Sequence, residues 1–250
     1  RLSLHWGKGA PRRKSKSAVK DALAFNRRHW ICDECGTALG SDGPDCKCGQ
    51  AGAIGSMHRR RIFSLSLGDW LDPEVPIEWL AEMLDTIRQC DQVVWILCTK
   101  RPETFGPLFD TLRRLSWPKS REWIDQWYSG QPPANVILLA SVENQEMADK
   151  RIPELLRIPA ACHGLSLEPL LESVDVRFGF DHLVNPARPT LNWIIVGGES
   201  GPNARPCNVD WIRSLVAQGR AAGVATFVKQ LGSKPNFERR YADGTISGTL

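Results

Sequence analysis

From residue 61 onward, short aliphatic and β-branched runs alternate with stretches of helical period. The runs are "RIFSLSL" (61–67), "QVVWILC" (92–98), "NVILLAS" (135–141), "HGLSLE" (163–168), "NWIIVGG" (192–198) and "ATFVKQ" (225–230). Most are nearly continuous in apolar character, the pattern of strands covered on both faces. Between them, "PIEWLAEMLDTIRQC" aligns Trp79, Leu80, Met83, Leu84 and Ile87 on one stripe. "FGPLFDTLRRL", "MADKRIPELLRI" and "VDWIRSLVAQGRAAG" behave similarly, with Gly223 as a helix stop and Pro153 predicting a kink or a later start. The strands begin about 27 to 43 residues apart, within the usual length of a parallel β–α unit. The expected fold class is α/β, with parallel strands and intervening helices. An open doubly wound sheet and a partial (β/α) barrel of TIM type both satisfy this pattern. The barrel is favoured because polar residues stand at the C-terminal end of every strand, where barrel sites are built. Residues 169–190 lack a helical pattern and read as an irregular loop or lid.

Those polar ends form a set. Asp69 follows the first strand, Lys100 and Arg101 the second, and Glu143 and Asn144 the third. Glu168 ends the fourth, Gly197, Gly198, Glu199 and Ser200 close the fifth with Arg205 shortly after, and Lys229 ends the sixth. Carboxylates facing cations and glycines suit a ligand that carries an ammonium, a ribose and an acidic group. The glycines expose backbone N–H groups, and Arg205 is placed to clamp an anion. Taken singly each has a plainer reading: a tight strand exit for the glycines, a solvated helix entry for Lys100 and Arg101, a turn for Glu168 before Pro169. Six successive strands ending this way carry the argument.

Before residue 61 the character changes. Four of the eight cysteines fall in "CDECGTALGSDGPDCKCG". Cys32 and Cys35 have the two-residue spacing of a zinc-knuckle pair, and Cys46 and Cys48 supply a second, tighter pair. The intervening loop has turn formers but little to pack, so a structural zinc on four thiolates is expected to order it. Such a site leaves no open position for catalysis. His29 or His58 is an alternative ligand, and a redox dithiol is the competing reading of Cys32 and Cys35. Cys90, Cys98, Cys162 and Cys207 are dispersed and read as buried small residues.

Residues 1–61 hold thirteen Lys and Arg against five Asp and Glu, although the whole chain carries only +4. Lys8, Arg12, Arg13, Lys14 and Lys16 lie among glycines and an aromatic, a composition suited to a polyanion such as DNA or RNA. A solvated arm is the plainer alternative. The expected organisation is a basic arm (1–30), a zinc-knuckle insert (31–58), a partial barrel (59–232) and a C-terminal tail (233–250). No membrane span, signal peptide or phosphate-binding G-x-x-x-x-G-K-[ST] motif is legible, and no histidine sits clearly at a strand end to support a Ser-His-Asp triad. The cytoplasm is the expected compartment, where clustered cysteines favour metal over disulfides.

The phrases "WGKGAPR", "SLGDWLDPEVP", "WILCTKRPE", "NVILLASVENQEMADKRIPELLRIPA", "LSLEPLL" and "NWIIVGGESGPNARP" with "VDWIRSLVAQGRAAGVATFVKQLG" resemble a phage-associated family of unknown function. Its members look like incomplete (β/α) barrels related to radical S-adenosylmethionine enzymes, and usually carry an N-terminal three-cysteine motif ahead of the "WGKGAPR" region. The resemblance implies S-adenosylmethionine at the barrel mouth and an iron–sulfur cluster. The three-cysteine motif is missing from this sequence, and the cluster ligands are expected upstream of residue 1. On this reading Glu143, Glu168 and Glu199 contact the cofactor's amine and ribose, Lys100, Arg101 and Arg205 hold anionic groups, and the substrate is a nucleic acid or a nucleotide. The alternative is a non-catalytic, zinc-containing nucleic-acid-binding protein that uses its basic arm.

Overall fold

The computed structural model describes residues 18–26, 29–35, 37–40, 55–65, 68–115, 120–180, 190–240 and 246–249. Helix α1 (Ala18–Phe25) leads into strands β1 (His29–Cys32), β2 (Ala38–Gly40) and β3 (Gly55–His58), which form a small antiparallel sheet in the order β2-β1-β3. Asn26 fastens α1 to the main body: its side chain donates to Gln89 O and accepts from Gln92 N, both at 2.9 Å. These strands have only three or four residues each, so their pairing depends on context more than on propensity.

The six predicted strands are present as β4 (Arg60–Ser64), β5 (Val93–Thr99), β6 (Val136–Ser141), β7 (Cys162–Leu167), β8 (Leu191–Gly197) and, after the two-residue β9 (Cys207–Asn208), β10 (Ala225–Gln230). All neighbours pair in parallel, and the order in space, β10-β8-β7-β6-β5-β4, is simply the order in the chain. A doubly wound sheet reverses direction at a switch point. This sheet does not, so every crossover steps the same way and the sheet curls into half a barrel.

Helices α2 (Ile77–Gln89), α3 (Phe105–Arg114), α4 (Arg121–Tyr128), α5 (Gln145–Arg157) and α6 (Val209–Ala221) supply the outer layer. Side chains alternate along each strand, so Val93, Trp95 and Leu97, Val136, Leu138 and Ala140, Leu165 and Leu167, and Ile194 and Val196 join the helices in one large core. The opposite, inner face holds a smaller apolar group of Ile96, Leu139 and Ile195, packed by Cys98, Ile137 and Trp193. In β5 to β8 this explains the continuous apolar runs: both strand faces are largely buried. At the two open edges the inner face is exposed, with Phe63 paired beside Ile96 and Phe227 beside Ile195.

Three differences from the sequence reading have local causes. Helix α5 runs through Pro153 and starts earlier than the periodicity suggests, because the Asn144 side chain accepts from Met147 N at 2.9 Å and caps it. Helix α4 has only eight residues and no long periodic stripe, yet Trp127 within it is fully buried, stacked on Trp70 and donating from its indole to Pro159 O at 2.7 Å. In the segment read as a tail, β11 (Pro235–Arg240) pairs in parallel with β9 and antiparallel with β12 (Ile246–Thr249). Its partner comes from a loop more than two dozen residues away, which no local pattern reveals. Residues 169–180 have no α-helix and only a single 3₁₀ turn at Arg177–Gly179. No helix among the described residues is long and apolar enough to cross a membrane.

Candidate active site at the barrel mouth

In a parallel sheet, residues that pair across strands share a face. Cys98 pairs with Leu139, Leu139 with Gly164, and Gly164 with Trp193, all on the inner face. Two positions further along each strand the same face carries Lys100, Ser141, Ser166 and Ile195. Two more positions bring Glu143, Glu168 and Gly197. The polar ends of β5 to β8 are thus raised on an apolar floor by one alternation rule. Lys229, at the end of β10, completes the row.

The loops fix these groups relative to one another. After β7, Leu170 N donates to Gly197 O and Leu171 N to Glu143 O, both at 2.9 Å, so Glu168 is held between its neighbours on either side. Glu168 meets Lys229, whose Nζ lies 3.4 Å from both carboxylate oxygens. Its Oε1 is buried and accepts no hydrogen bond from any described residue. Glu143 pairs with Lys100 Nζ through Oε1, and Arg151 Nη1 lies 2.9 Å from Oε2. Burial pushes the Glu143 carboxyl up, but Lys100 and Arg151 outweigh it and hold the group below the usual glutamate range. Cys98 lies beside Ser141 Oγ at 3.3 Å. Burial pushes its thiol up to about 11, with Asp69, Lys100 and Glu143 all close enough to act on it. At neutral pH this thiol is protonated and is a poor nucleophile.

Other predicted residues are engaged in shaping the loops. Asp69 accepts from Leu71 N at 3.0 Å and from Lys100 N at 2.8 Å, which ties the loop after β4 to the end of β5. Arg101 lies between Asp69 and Asp72, at 3.8 and 3.4 Å. Asn144 caps α5. Glu199 closes the loop after β8 by accepting from Arg205 N at 2.9 Å, Nε at 2.7 Å and Nη2 at 3.1 Å. That fork draws the Glu199 carboxyl down to about 2, and the Glu143 charge also acts on Arg205. Ser200 Oγ donates to Gln230 Oε1 at 2.8 Å. Gly197 and Gly198 are needed for close approach. A Cβ at Gly197 would lie 2.7 Å from Glu168 Oε1, and one at Gly198 would lie 2.4 Å from Leu231 O.

Arg151 and Asp72 escaped the sequence reading. Arg151 had a visible signal: it lies on the stripe of α5 that buries Ala148, Ile152 and Leu155, where a charge needs a partner. At the other end of the chain, Cys32 closes β1 and Cys35 ends the turn that follows, with Cys32 N donating to Thr37 O at 3.0 Å. Cys46 and Cys48 lie outside the described residues, as do Lys8, Arg12, Arg13, Lys14 and Lys16. Among the described residues, no three His, Cys, Asp or Glu side chains gather to hold a metal ion.

A family model described as a protein of unknown function, DUF5131, matches residues 29–246. No curated protein and no solved structure matches the chain.

Proposed function

The chain belongs to that family of unknown function, and from this premise we propose that its half-barrel is the ligand-binding body of a radical S-adenosylmethionine-type enzyme. The ligand lies across the mouth formed by Lys100, Glu143, Glu168 and Lys229, and the substrate is a nucleic acid or a nucleotide. The observation that carries this reading is Glu168, whose buried Oε1 accepts no hydrogen bond from any described residue and has only the 3.4 Å ion pair with Lys229 beside it. Such an acceptor has capacity for a donor from outside the chain. An ammonium or a ribose hydroxyl supplies one. Glu143, kept anionic by its two cations, recognises positive charge and does not act as a proton reservoir at neutral pH. Lys100 and Lys229 are each more than half exposed and each has donors to spare for a ligand carboxylate.

S-adenosylmethionine, when reduced, supplies one-electron hydrogen abstraction. The described residues contain no site for the iron–sulfur cluster that this reduction requires, and the family resemblance assigns that cluster to cysteines ahead of Arg1. The chain's own residues bind and orient the ligand, while Cys98 and the apolar floor of Ile96, Leu139 and Ile195 keep water from beneath it.

The N-terminal region has two further roles on this reading. Cys32 and Cys35 flank one turn and have the two-residue spacing of half a four-thiolate zinc site, for which Cys46 and Cys48 would supply the other half. The basic arm offers nucleic acid a salt-dependent hold, expected to weaken when Arg12, Arg13 and Lys14 are neutralised. Equilibrium dialysis of the full-length protein against S-adenosylmethionine tests the central reading. Saturable retention supports it, and no retention at millimolar ligand overturns it.

A further inference from the structure

Arg151 is one of the least exposed charges of the barrel, 12% exposed, on the helix that follows β6. A guanidinium in that position is tolerated only with good partners. Its Nη1 donates at 2.7 Å to Ser141 O, the last carbonyl of β6, and at 2.9 Å to Glu143 Oε2. One helix thus grips both the end of its own strand and the acid two residues beyond it. The guanidinium Nε is buried and finds no acceptor among the described residues. The fork is only partly used for stability, and its charge is directed at a single mouth residue.

We propose that Arg151 is a positioning residue: it fixes the Glu143 carboxylate toward Lys100 and the mouth, and so sets the pH range over which the mouth accepts a cationic ligand. This rests on the reading of the mouth as a site for a cationic ligand. The charged and titratable groups that bear on Glu143 come from several elements. Lys100 and Cys98 come from β5, Arg151 from α5 and Arg205 from the loop after β8. Glu172, on the loop after β7, accepts from the adjacent Gln145 amide at 2.7 Å. The Cys98 thiol is neutral across the accessible range, so Lys100 and Arg151 are the cations that hold the carboxylate.

The sign follows from a depressed carboxyl. Binding that needs the carboxylate is lost as pH falls through the Glu143 pKa, and removing a cation moves that point upward. The experiment is a carbon-13 titration of the Glu143 carboxyl in the full-length protein, unliganded, for the wild type, Arg151→Gln and Arg151→Lys. The wild type is expected to titrate below the ordinary glutamate value of 4.5, Arg151→Gln distinctly higher, and Arg151→Lys in between. S-adenosylmethionine binding by calorimetry is expected to fall at least about tenfold in Arg151→Gln, with its pH midpoint moved upward by the same amount as the titration. A wild-type Glu143 that titrates at or above 4.5 overturns the proposal even if the variants do not fold. An Arg151→Gln titration coincident with wild type also overturns it. Absence of binding by the wild type would remove the ligand reading, while the titration would still decide independently whether Arg151 controls Glu143.

Discussion

Lys229 and Glu168 meet across a missing side chain. Lys229 stands on β10 and Glu168 directly after β7, two strands apart, and the strand between them presents Gly197. The 3.4 Å ion pair exists because β8 offers only a Cα at that level. Gly197 is needed here for space, since its backbone is not among the positive-φ glycines.

Gly197→Ala therefore tests the mouth by steric means. The new Cβ would lie 2.7 Å from Glu168 Oε1 and 3.1 Å from Gln230 O, so the carboxylate must swing away from Lys229. Overpacking of this kind costs about 1 to 3 kcal/mol. Chemical denaturation should show that loss, and S-adenosylmethionine retention should fall at least about tenfold. A variant with wild-type stability and retention would show that the glycine is not needed for space.

Glu199 and Arg205 give a pH-dependent loop. The Glu199 carboxyl sits at about 2, below its ordinary 4.5. A carboxyl depressed by folding stabilises the folded loop above the unfolded value, and that contribution fades as pH falls from 4.5 toward 2. Hydrogen exchange at the Arg205 amide, which donates to Glu199 Oε2 at 2.9 Å, should speed up in that window relative to amides of β8. Arg205→Ala should return Glu199 to titration near 4.5. Unchanged titration in that variant would place the cause elsewhere.

The aromatic cluster sets the stability of the helical layer. Trp127 is fully buried, stacks on Trp70 at 6.1 Å and meets Phe109 edge-on at 5.4 Å. Trp127→Ala should cost about 3 to 5 kcal/mol, since it opens a cavity and strands the Pro159 carbonyl. Denaturant unfolding gives the number. A loss below about 1 kcal/mol would show that the layer relaxes around the gap.

The zinc proposal is decided by metal analysis. About one zinc per chain is expected, lost with Cys32→Ser or Cys46→Ser. Zinc-free native protein would return Cys32 and Cys35 to the status of ordinary thiols.

The barrel was legible because parallel strands buried on both faces write themselves as apolar runs. Five of the six begin and end within about two residues of the sequence reading, and β4 ends three residues short of "RIFSLSL". The placement of Lys100, Glu143, Glu168 and Lys229 at the C-terminal ends of parallel strands was also readable; their pairing as Lys100 with Glu143 and Glu168 with Lys229 was not. What sequence could not show was the division of labour. Asp69, Asn144 and Glu199 look like Glu168 in a linear reading, yet backbone amides and Arg205 occupy them. Such local bonds depend on loop paths that periodicity does not specify. Arg151 was hidden by the habit of reading helix charges as solvated, although its place on the buried stripe of α5 gave the clue.

The proposed ligand binding at the mouth turns on Glu168, and calorimetric titration of S-adenosylmethionine into full-length wild type and Glu168→Ala tests it most directly. Saturable heat is expected for the wild type and at least about tenfold weaker binding for the variant, with Asp110→Ala, remote from the mouth, unchanged. Equal binding by wild type and Glu168→Ala, or no saturable heat from either, would contradict a ligand site built on this carboxylate.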